Sequence, residues 1–83
     1  MNRVVKVRPV QKYLLQLTFS DGFQKVVDLA PYIDDGLAVA LADEKYFQLV
    51  GIESGGGIYW PNGYDFCPNF LRDDVPAVNL VSA

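Results

Sequence analysis

The side chains with the most chemistry to offer are crowded into Gly55 to Leu71, GGGIYWPNGYDFCPNFL, which holds the only tryptophan, Trp60, and the only cysteine, Cys67. A reactive thiolate needs a neighbouring histidine, lysine or helix N-terminus. This chain has no histidine, and the ionisable residue nearest to Cys67 is the acid Asp65. Cys67 is therefore expected to be a buried structural residue. The missing histidine also removes Ser/His and Cys/His triads and the commonest metal ligand. Gly55-Gly56-Gly57 invites a phosphate-loop reading, but no GxxxxGK(S/T) pattern, following lysine or long helix accompanies it. A hairpin turn is expected there instead. Acids pair at Asp34/Asp35, Asp43/Glu44 and Asp73/Asp74. Glycosidase-like acid/base work needs two carboxylates across a pocket, whereas neighbouring acids in turns and helix starts read as caps and solvated surface. Their spacing does not make a calcium loop either. No cofactor and no metal is expected.

What survives is recognition. Trp60-Pro61-Asn62-Gly63-Tyr64-Asp65 sets large aromatic side chains with polar handles on a rigid turn, the composition favoured at interfaces. Tyr59, Trp60, Asn62, Tyr64, Asp65 and Phe70 are the expected partner-contact residues. The competing reading makes Trp60 core and Asn62-Gly63 no more than a turn.

Composition bounds what can carry such a site. A chain of 83 residues makes one domain, which buries only roughly 60–65% of its unfolded surface, so a dimer or partner would ease a thin core. Half the residues are hydrophobic, 51%, which excludes disorder as the overall state. Residues 1–12 carry Arg3, Lys6, Arg8 and Lys12 and no acid, while residues 13–83 set three cations against all ten acids. The first stretch is a candidate basic edge; its plain reading is a strand whose cations blunt edge pairing. The net charge of −3 disfavours broad binding to a phosphate backbone. A lone cysteine allows no internal disulfide and points to the cytoplasm. No apolar run is long enough for a membrane span, and the N-terminus does not read as a signal peptide.

The elements that must position these residues follow from periodicity. Arg3 to Val10 alternates, with Val5, Val7 and Pro9 on one side and Val4, Lys6 and Arg8 on the other. Tyr13, Leu15, Leu17 and Phe19 face inward along the next strand. After Ser20-Asp21-Gly22, a three-residue loop with Gly22 at positive φ sets Phe19 opposite Phe23 and Leu15 opposite Val27, keeping apolar residues on one face. The return strand is Phe23 to Leu29. Asp34-Asp35-Gly36 makes a turn, Leu37–Ala42 a loose turn, and Asp43 to Leu49 a short helix capped by Asp43 and stopped by Gly51. A hairpin turns at Gly55-Gly56, Pro61-Asn62-Gly63 turns again, and Pro68 to Asp73 forms one helical turn seating Phe70 and Leu71. Residues 1–75 thus read as one α+β domain, a small antiparallel sheet of about five strands with one short helix. Residues 76–83 are a C-terminal tail, either an added strand or a loose end.

Val4 to Leu71 resembles the bacterial domain-of-unknown-function family 2442. The resemblance rests on Leu17-Thr18-Phe19-Ser20-Asp21-Gly22 with Val27-Asp28-Leu29, on Leu41 and Phe47, and on Trp60-Pro61-Asn62-Gly63 with Asp65 and Leu71. It implies an antiparallel α+β fold and no assigned activity. It also implies, by the family's habit of standing beside a second small protein, a two-component, toxin–antitoxin-like pair. Members are similar to a domain that sometimes precedes a helix-turn-helix module, for which this chain has no room. The expected function is a non-enzymatic protein-interaction module, working as a homodimer or with a small partner protein. Two alternatives remain at this point. One is a regulatory module coupled to nucleic acid through Arg3, Lys6, Arg8 and Lys12; the other is a small hydrolase-like enzyme joining Tyr64, Asp65 and Cys67.

Overall fold

Alternation dictates the first sheet. A computed structural model of the chain describes residues 2–34 and 36–79. In it β1 (Val4–Gln11), β2 (Leu14–Phe19) and β3 (Gln24–Asp28) form an antiparallel sheet in that order. The β2–β3 turn is the expected three-residue loop: Gly22 sits at φ 91°, the Phe19 N–H donates to Phe23 O at 2.8 Å, and Leu15 faces Val27. Leu15, Leu17, Phe19, Val27 and Leu29 are buried on one face. The alternation read from Arg3 to Val10 is interrupted once. Val4, not Val5, enters the core, because a bulge sets Val4 opposite Phe19 and Lys6 opposite Thr18, leaving Val5 as the extra residue. Val4 is 2% exposed and Val5 48%.

The second half forms another antiparallel sheet of three very short strands, β4 (Gly51–Ile52), β5 (Ile58–Tyr59) and β6 (Asp65–Phe66). The class is α+β as expected, but among the described residues there are six strands in two sheets rather than about five in one. Ser20-Asp21-Gly22, Ser54-Gly55-Gly56 and Pro61-Asn62-Gly63 close three hairpins with one geometry. In each, the third residue is a glycine at φ 91° whose N–H donates back to the residue before the loop at 2.9 Å. Only glycine takes that φ without steric cost, so three glycines fix three turns.

Between the sheets run 3-10 turns at Ala30–Tyr32 and Gly36–Ala42, then α1 (Glu44–Phe47). Asp43 caps α1 by accepting from the Lys45 N–H at 3.0 Å. The helix is shorter than the expected Asp43–Leu49 span. The last helix is α2 (Pro68–Asp73), with Leu71 buried and Phe70 half-buried. Ala77 bridges Val27, and the Val78 N–H donates to Val26 O at 2.8 Å, so the tail continues the first sheet beyond β3. Asp35 of the expected turn and residues 80–83 of the tail lie outside the described residues.

The core joins both sheets around Trp60, Phe19 and Phe47. One inward position is a lysine. Lys25 lies between Phe23 and Val27 on β3 and is 9% exposed. Its Nζ donates to Leu71 O at 2.9 Å, to Arg72 O at 3.0 Å and to Val75 O, the carbonyls at and just past the end of α2. A cation at a helix C-terminus meets both the dipole and the orphan carbonyls. Desolvation lowers the Lys25 pKa, with the nearby Arg72 guanidinium adding to that effect and Asp73 opposing it.

Candidate binding groove

The aromatic turn is spent on the inside. Trp60 is fully buried, and its Nε1 donates to Phe47 O at the end of α1, at 2.9 Å. The Asn62 N–H donates to the Tyr46 hydroxyl at 2.8 Å, its Nδ2 donates to Leu37 O at 3.0 Å, and its Oδ1 accepts from the Tyr64 N–H at 3.0 Å. The Tyr64 hydroxyl donates to Tyr32 O at 3.3 Å, and Phe70 packs against Phe66 and the edge of Tyr32. Trp60 thus has no surface to give a partner; the turn that carries it is a clamp joining α1 and both 3-10 turns to β5 and β6. Tyr59 and Asp65, paired across β5 and β6, face out on the opposite side of the sheet. The six expected contact residues therefore divide between the two faces of the second sheet.

The same alternation separates the groups that a hydrolase would need together. Tyr64 points with Phe66 toward the core, their rings 5.3 Å apart, while Asp65 and Cys67 alternate to the other face. Cys67 is exposed, not buried, because it lies past the end of β6 and immediately precedes α2. Glu53 shares that outer side. Its partial burial, and then the nearby Asp65 carboxylate, hold its carboxyl above the usual carboxylate range. No group of three or more histidine, cysteine or acidic residues that could hold a metal occurs among the described residues.

A concave surface forms elsewhere, on the outer face of the first sheet. The alternation that buries Leu15 and Leu17 turns Gln16 and Thr18 outward. Lys6 and Arg8 of β1 lie opposite Thr18 and Gln16, and Thr18 lies opposite Gln24 of β3. Gly51 and Ile52 of β4, which packs beside β1, form a wall. Together with Val7 these residues line an open groove of about 640 Å³, and among the described residues no carboxylate lines it. That volume falls within the roughly 300–1,000 Å³ range of ligand sites. Arg8 Nη2 donates to Gln16 Oε1 at 2.6 Å, while Lys6 has no hydrogen-bond or ion-pair partner among the described residues.

Of the four expected basic-edge residues, the fold brings only Lys6 and Arg8 together here. Arg3 donates to Ser54 O at 2.8 Å on the β4–β5 hairpin, and Lys12 forms the β1–β2 turn at φ 37°. Sequence reasoning did not single out Gln16, Thr18, Gln24, Gly51 or Ile52. Strand alternation marks the first three as outward; only the packing of β4 beside β1 makes them a site.

The fold and this surface define a small α+β domain with an open, basic groove on one sheet face. The chain belongs to the family described as protein of unknown function DUF2442, whose model matches residues 4–77. No curated protein and no solved structure matches it. Among the described residues no helix is long and apolar enough to cross a membrane.

Proposed function

We propose that this chain is a non-enzymatic protein-interaction module, acting as a homodimer or against a small partner protein, with the groove on the first sheet as its contact face. The observation that supports this reading is the groove itself, a concavity lined by Lys6, Arg8, Gln16, Thr18 and Gln24 on a sheet floor. A toxin–antitoxin-like pairing is one setting such a module fits. Binding through the free edge of β1 is less favoured than binding to its face. Pro9 lacks a backbone donor, two register irregularities break the strand, and its first residue already donates to Gly56 O.

The test is multi-angle light scattering on the wild type and on Lys6→Glu/Arg8→Glu, followed by pull-down from the source cells with each as bait. The expected result is a wild type that self-associates or retains one small protein, and a folded variant that does neither. An assembly indifferent to the charge reversal, or a wild type that neither self-associates nor retains a protein, contradicts the reading. The nucleic-acid alternative draws on the same two cations, but Arg3 and Lys12 do not continue their line, and it predicts a salt-dependent mobility shift.

A further inference from the structure

We infer that the groove takes an extended, acidic peptide segment with carboxylates at alternate positions; this rests on the reading of the groove as the contact face. Lys6 and Arg8 stand two residues apart on one face of β1, a separation of about 7 Å along the strand. An extended chain presents its own alternate side chains at the same repeat, so two carboxylates in such a segment match the two cations without either chain bending. Arg8 keeps guanidinium donors beyond the one given to Gln16, and Lys6 offers its whole ammonium.

The rest of the floor suits the same ligand. Thr18, Gln16 and Gln24 are uncharged donors and acceptors set in rows beside the cations, able to bond a backbone or a small polar side chain. Ile52, 38% exposed, adds an apolar contact along the wall. With no carboxylate in the lining among the described residues, no described group in the groove repels an acidic segment. The wider charge pattern sets the length of ligand. Beyond residue 12 the chain carries three cations against ten acids, so a polyanion long enough to leave the groove meets a repelling surface. A short acidic peptide does not, which favours it over a nucleic acid.

The experiment is an amide-resonance titration of the isotope-labelled full chain with four probes. These are a short end-blocked peptide with glutamates alternating with threonines, its glutamine counterpart, a permuted peptide with the glutamates contiguous, and a single-stranded oligonucleotide of similar length. The alternating glutamate peptide is expected to shift resonances of Lys6, Arg8, Gln16, Thr18 and Gln24 saturably, with affinity that falls as salt is raised. Lys6→Gln/Arg8→Gln should weaken it by about tenfold, the loss of two partly exposed charge contacts, while Lys6→Arg/Arg8→Lys should largely keep it. No saturable shift, equal binding by the glutamine or permuted peptide, shifts centred outside the groove, or tighter binding by the oligonucleotide overturns the inference. Should the peptide fail while the charge reversal still breaks the native assembly, the contact face stands and only its acidic-peptide ligand is lost.

Discussion

The turn at Pro61-Asn62-Gly63 and the face that carries Lys6 and Arg8 make opposite use of their residues. The turn holds rare, large and polar-tipped side chains, and the fold consumes nearly all of them: indole, amide and hydroxyl each end on a backbone or tyrosine partner. The groove is lined mainly by common strand residues, and of its two cations Arg8 bonds only Gln16, while Lys6 has no partner, among the described residues. In a chain this small the most distinctive residues are needed to close the core, and the proposed contact face is the ordinary polar face of a sheet. Conspicuous chemistry in the sequence therefore marks the clamp rather than the proposed contact face.

Substitution should expose that division. Trp60→Ala removes the largest buried side chain and its bond to Phe47 O, and should cost about 3–5 kcal/mol in urea unfolding, a large part of the roughly 5–15 kcal/mol that holds a domain together. Lys6→Gln/Arg8→Gln should change stability by no more than about 0.5 kcal/mol. A groove pair that costs as much as Trp60 would erase the contrast. Lys25→Met probes a cation that the fold buries. It keeps an unbranched apolar stem but leaves three carbonyl acceptors without the ammonium, and should cost about 2–3 kcal/mol in the same assay.

The smallest effects are electrostatic and of opposite sign. Arg72 bonds Asp21 through both guanidinium nitrogens at 3.0 Å while its guanidinium carbon lies 4.2 Å from the centre of the Phe23 ring. Its hydrogen bond to Asp21 holds that carboxyl below its ordinary value. The stability Asp21 adds is therefore present above its unfolded pKa and lost as pH falls through the folded one. Glu53 runs the other way: its carboxyl is held above its ordinary value, so its contribution is full below the unfolded pKa and lost as pH rises through the folded one. Thermal midpoints across the carboxylate range should show Asp21→Asn flattening the acid-side loss and Glu53→Gln removing the loss on the rising side.

Much of the frame was legible residue by residue. Asp21-Gly22 and the flanking alternation fixed the register that sets Leu15 opposite Val27, because any one-residue slip would bury polar side chains. Asp43 and Pro68 marked helix starts for local reasons. The bulge at Val5 was not legible, since two adjacent valines serve equally well on either face. The burial of Lys25 depends on the carbonyls of α2, more than 40 residues away, and the groove depends on β4 packing beside β1 at a similar separation. Lys6 and Arg8 were visible as a basic pair; their separation from Arg3 and Lys12 was not, because it depends on where the β4–β5 hairpin and the β1–β2 turn hold the other two.

The most direct test sets two double variants side by side, with light scattering for assembly and circular dichroism for fold. Lys6→Glu/Arg8→Glu should remain folded and lose its association, with itself or with the partner the wild type retains. Tyr64→Ala/Phe70→Ala should lose the fold or much of its stability, because both side chains pack against the core. A folded Tyr64→Ala/Phe70→Ala chain that no longer associates, beside a Lys6→Glu/Arg8→Glu chain that still does, would return the contact surface to the aromatic turn and contradict this account.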